Sequence, residues 1–263
     1  MKDFSIFAID FPVEGAVLKG ELIVPSDQRG SVIFAPSGGL ADRDGNDEDV
    51  GFAPLLQVAE GLADHGIVSL RFDGRGITSP QTTLEDFLAL IQQATRLPEI
   101  GETPCLIGHN VGCTLALVAA NRLVEQVGKL VLIAPPISPL NELLAYRAQA
   151  GELLSISPPE TQMQALAVLQ TDYAQRKAFL PGGFSIPCPA LVVQGTMDWI
   201  FPPAESQRLV AQLAGKGTRL LLDGLDHWLV STTTWRNAQE NLSPDFIVSP
   251  IAISQIAEWV IPK

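Results

Sequence analysis

The sequence predicts one doubly wound α/β domain, residues 1–263, built on a mostly parallel sheet of eight strands. Three observations carry that expectation. Short uninterrupted apolar runs recur along the chain, helical patterns separate them, and two alternating stretches precede them all. Strands covered on both faces read as continuous apolar runs, and helices between such runs supply the crossovers that parallel strands need. A length of 263 residues is ordinary for one such sheet.

Taken in order, residues 5–9 and 17–24 alternate apolar with polar side chains, as half-exposed antiparallel strands do, and Gly15 marks the turn of an edge hairpin. Six apolar runs follow, at 32–35, 67–72, 105–107, 130–134, 191–193 and 220–222. Between them Leu55, Leu56, Ala59, Leu62 and Ala63 share one helical face that closes at Gly66. Leu84, Phe87, Leu88, Leu90 and Ile91 do the same after a start at Thr82-Thr83. Residues 111–123 are apolar on nearly every face, which predicts a buried central helix. Helical patterns at 140–146 and 161–173, interrupted by Pro158-Pro159, fall between two strands and predict a small helical lid inserted over 137–188.

Composition narrows the partners. A net charge of −12 repels phosphate backbones and anionic lipid, so neither nucleic acid nor a membrane surface is expected, and a small-molecule substrate or ligand is. No stretch reaches the roughly 18 apolar residues of a membrane helix. The opening Met1-Lys2-Asp3-Phe4 lacks the character of an export signal, and Cys105, Cys113 and Cys188 sit singly among apolar neighbours as reduced thiols would. A cytoplasmic protein is the expectation.

The chemistry concentrates in three places. Gly108-His109-Asn110-Val111-Gly112 joins an apolar run to the buried helix, with glycines flanking residue 110 at the spacing of a nucleophile elbow. Asp198 follows the run at 191–193, and His227 follows the run at 220–222. Nucleophile, acid, base is the chain order of the α/β-hydrolase triad. Ser37-Gly38-Gly39 with Asp42-Arg43-Asp44-Gly45-Asn46, and Arg71-Phe72-Asp73-Gly74-Arg75-Gly76, add two further signatures.

With these motifs the whole chain resembles the α/β-hydrolase superfamily, nearest its bacterial esterase and dienelactone-hydrolase-like branches. There the first of these loops reads GSGP and then DRDGN. The resemblance implies that Asp198 orients His227, that His227 is the base, and that the backbone N–H groups of Val111 and of Ser37 or Gly38 form an oxyanion hole. It implies no organic cofactor and no metal. The chain departs from the pattern at Asn110, where those enzymes carry serine.

Other residues read more simply. His65 closes a helix, and His109 points away from the site as packing or as a supporting donor. The acidic stretch Asp42, Asp44, Asp47, Glu48, Asp49 places glycine at the fourth rather than the sixth position of a calcium loop, which leaves a solvated loop. A carboxamide has no hydroxyl for His227 to deprotonate, so no acyl-enzyme forms on residue 110. Three readings stay open: a hydrolase altered at one residue, inactive or weakly active; a base catalyst in which His227 and Asp198 act without a covalent intermediate; or a binding protein that holds a small ligand.

Overall fold

The computed structural model describes residues 3–36, 42–46, 51–76, 79–153, 170, 185–235 and 243–262. Its strands are β1 (Phe4–Val13), β2 (Ala16–Pro25), β3 (Gly30–Phe34), β4 (Ile67–Phe72), β5 (Cys105–His109), β6 (Lys129–Ile133), β7 (Ala190–Gly195) and β8 (Gly217–Leu222). They form one sheet in the order β1-β2-β4-β3-β5-β6-β7-β8. The hairpin β1–β2 and the β2–β4 pair are antiparallel, and every later pair is parallel. The eight-stranded, mostly parallel sheet is the expected one, with the hairpin supplying its edge.

Helices α1 (Pro54–Ala63), α2 (Pro80–Ala94), α3 (Gly112–Arg122), α4 (Leu140–Leu153), α5 (Ala204–Gln212) and α6 (Pro250–Val260) complete the described elements. Alternate residues of the central strands feed two cores. Ile33, Leu70, Leu106, Leu132 and Val192 pack with α2, α3 and α5 on one face. Val32, Ile67, Ile107, Val131 and Val193 pack with α1 and α6 on the other. In α3 the run from Gly112 to Ala120 is buried throughout, as its apolar surround requires.

Two local readings change. The second helix begins before Thr82: Ser79 is its N-cap, its hydroxyl accepting from Thr82 N–H, with Pro80 at the first position. A cap followed by proline outweighs the two threonines as a start signal. The acidic loop is not merely solvated either, because Asp44 pairs with the guanidinium of Arg71, which is completely buried. Arg71 also pairs with Glu21 of β2, and Arg43 holds Asp73 through its backbone N–H and its side chain. Spacing along the chain gave no sign of these pairings across elements. Residues 47–49 and 161–169 lie outside the described part of the chain.

Cys105, Cys113 and Cys188 are free and buried. Among the described residues no helix is long and apolar enough to cross a membrane, and no group of three or more His, Cys, Asp or Glu side chains is placed to hold a metal ion.

Candidate functional site

The site forms where β5, β7 and β8 end. In a doubly wound sheet the carboxyl ends of the strands open into a crevice, and here the chain winds outward from β3 in both directions, which leaves that crevice beside β3 and β5. Residue 110 follows β5 directly. Its N–H donates to Ile133 O at 3.0 Å, and its own carbonyl accepts from Cys113 N–H at 3.1 Å as α3 begins. The turn between these bonds is so tight that Asn110 takes φ 54°, a left-handed conformation that asparagine tolerates better than most side chains.

Glycine is required on either side. A Cβ on Gly108 would lie 2.7 Å from the backbone of Cys113, and one on Gly112 would lie 3.0 Å from Pro36 O. The second approach brings the end of β3 against the start of α3. The leading N–H groups of a helix have no acceptor within it, so Val111, which caps α3, stands where a backbone donor is available. Ser37 and Gly38, the other expected oxyanion donors, lie outside the described residues.

Asp198 and His227 are both buried, at 0% and 1% exposure. His227 Nδ1 lies 2.9 Å from Asp198 Oδ2, and His227 Nε2 lies 3.3 Å from Asn110 Nδ2. If Nδ1–H donates to the carboxylate, the Nε2 lone pair accepts from the Asn110 amide, which is the tautomer a general base needs. The structure therefore brings residues 110, 198 and 227 together in one hydrogen-bonded chain. Asn110 Oδ1, by contrast, is buried without a donor among the described residues.

The carboxylate is fixed from several sides. Ile200 and Phe201 N–H donate to Asp198 Oδ1 at 2.8 and 2.9 Å, and Gln194 Nε2 donates to Oδ2 at 2.6 Å. Tyr146 of α4 donates its hydroxyl to the Asp198 carbonyl at 2.7 Å. A polar glutamine at the end of the apolar β7 strand is a signal the sequence carries for this prop, whereas Tyr146 carries none.

The histidine loop is clamped to the elbow. His109 Nε2–H donates to the His227 carbonyl at 3.2 Å, while its ring stacks on Trp228 with centroids 4.0 Å apart. Burial, and then the nearby His227, hold the His109 imidazole well below its ordinary pKa, so it stays neutral. Its expected place as a supporting donor is where it stands. Asp226 shapes the loop, its Oδ1 accepting from Trp228 and Val230 N–H. Cys113 is no substitute nucleophile, since its Sγ is buried 3.3 Å from the carbonyls of Gly108 and Ile133.

No protein-family model matches the sequence, and no curated protein matches it as a relative. Solved structures do. A dienelactone hydrolase from Anabaena variabilis superposes with a TM-score of 0.59 at 17% identity, over 98% of this chain and 97% of its own. An esterase from Pyrococcus furiosus gives 0.65 at 18% identity over 97% and 90%, and a hyperthermophilic esterase from the archaeon Pyrobaculum calidifontis gives 0.68 at 18% over 97% and 82%. Identities this low speak for the frame and not the activity. Strand order, pairing directions and these superpositions agree that the chain has the α/β-hydrolase fold.

Proposed function

We propose that this chain is a carboxylic ester hydrolase scaffold for small acyl esters in which asparagine has replaced the nucleophilic serine, leaving it inactive or weakly active. One observation carries the reading: the Asn110 amide occupies the left-handed corner after β5 and points at His227 Nε2, 3.3 Å away, while Asp198 holds the far side of that imidazole at 2.9 Å. A buried carboxylate with four donors and an oriented, buried imidazole are costly to assemble and have no evident structural purpose.

In this reading Val111 N–H serves the oxyanion hole, together with Ser37 or Gly38. Residues 137–188 act as a lid on a single domain spanning 1–263, over a small-molecule substrate, with no part for nucleic acid or membrane, in the cytoplasm. With serine restored at 110, the side chains at 110, 198 and 227 would suffice for ester hydrolysis without a cofactor. Direct activation of water by His227 would need the lone pair that Asn110 now engages, and freeing it costs about 1 kcal/mol, the worth of one hydrogen bond.

The test is Asn110→Ser. Hydrolysis of p-nitrophenyl acetate is expected to rise by a factor on the order of 10³ or more, and to fall back when His227→Ala is added. No gain in the serine variant would overturn the proposal. Turnover by the unaltered chain that depends on His227 would favour base catalysis without a covalent intermediate, and turnover by neither form would favour a ligand-binding role.

A further inference from the structure

Strand β7 carries one polar side chain, Gln194, after Ala190, Leu191, Val192 and Val193. The residue is 0% exposed, on a strand paired with β6 on one side and β8 on the other. Its Nε2 donates to Asp198 Oδ2, the same oxygen that faces His227 Nδ1, while its Oε1 has no donor among the described residues. The carboxylate orients the amide, because the opposite flip would set Oε1 against a group that only accepts.

A fully buried amide with one unmet acceptor is a poor choice for folding, and an apolar side chain of similar length would fill the place without that cost. What the amide adds falls on Asp198. The acid's Oδ1 accepts from Ile200 and Phe201 N–H, which pins one oxygen and leaves the other to be fixed separately. Gln194 supplies that second fixed point. The next residue serves the other partner of the pair: a Cβ on Gly195 would lie 2.1 Å from Leu225 O and 2.7 Å from Asp226 O, so only glycine admits the loop that carries His227 across the end of β7. Met197 N–H donates to Leu225 O at 2.9 Å and closes the contact. Adjacent positions of one strand thus seat both the acid and the histidine loop.

We propose that Gln194 is a positioning residue of this site: by holding Asp198 Oδ2 it fixes the carboxylate in the orientation that receives His227 Nδ1–H. The effect on rate rests on reading residues 110, 198 and 227 as a hydrolase site, because a misaligned acid slows turnover only where His227 is the base. The effect on the Asp198–His227 bond belongs to the chain as it stands.

Gln194→Met, apolar and of similar length, tests the assignment in two ways, and Gln194→Leu repeats both with a branched side chain. In proton NMR the His227 Nδ1–H signal, assigned by its loss in His227→Gln, is expected to exchange with water about fivefold faster or more in either variant than in the unaltered chain, the worth of one hydrogen bond. The urea midpoint is expected not to fall. In an Asn110→Ser background Gln194→Met is expected to lower kcat for p-nitrophenyl acetate about tenfold while KM stays within about twofold. Equal exchange of the Nδ1–H in all three proteins would overturn the assignment. So would a lower urea midpoint with kcat unchanged, since that would make Gln194 a folding residue. Quicker exchange alongside an Asn110→Ser chain inert toward the ester would keep the role of Gln194 and sink the hydrolase reading instead.

Discussion

Asn110 and His109 are neighbours with opposite demands. The left-handed corner forces the side chain of Asn110 toward His227, while His109 turns back into the protein, where it is 4% exposed and neutral. That neutrality makes it a source of acid sensitivity. The pKa of His109 is lowered in the folded state, so the unfolded chain binds the extra proton first. Stability should hold above about pH 6.5, the ordinary imidazole value, and fall as the pH drops below it, with a slope of up to about 1.4 kcal/mol per pH unit from this one proton. Urea denaturation across pH 5 to 8 checks this, with His109→Gln expected to flatten the acid limb while keeping a donor near the His227 carbonyl. An unchanged limb would show that the proton goes elsewhere.

Among the elements, the contact between β4 and the loop at 42–46 has the largest electrostatic stake. Arg71 emerges from β4 with no exposure and joins Glu21 of β2 to Asp44 of the loop. Asp42 organises the same loop, its Oδ1 accepting from Asp44 and Asn46 N–H at 2.9 and 3.0 Å. Removing one partner of a buried ion pair costs about 3–5 kcal/mol, but Glu21 and Asp44 side chains keep 29% and 26% exposure and can turn to water, which lowers the figure. Arg71→Met should therefore destabilise the protein by about 2–3 kcal/mol in urea. Amide exchange at 42–46 should quicken in the same variant while that of β6 does not. Equal protection of that loop in both proteins would mean that the pair does not hold it.

For the molecule as a whole, the parallel centre of the sheet should be the last part to open. Strands β3, β5, β6 and β7 are flanked on both sides and packed by helices on both faces, whereas among the described residues β1 and β8 each pair on one side only. Hydrogen exchange should be slowest at Ile107, Val131 and Val192 and faster along β1. A β1 protected as long as β6 would contradict this ranking. The same difference in burial explains what could be read in advance. Strands buried on both faces advertise themselves as apolar runs, and β4 spans 67–72 as its run does. Asn110, Asp198 and His227 were legible because each follows such a run at a fixed chemical signature. The Arg71 network and the Tyr146 prop were not, since pairing between distant elements leaves no periodic trace. The tight corner at 110 also bears on descent. It suits asparagine, which tolerates positive φ better than most side chains, and a serine codon of the AGU or AGC pair becomes an asparagine codon through a single transition. Under the proposed reading, one base separates this chain from its serine form, and the left-handed corner that would hold that serine is already built.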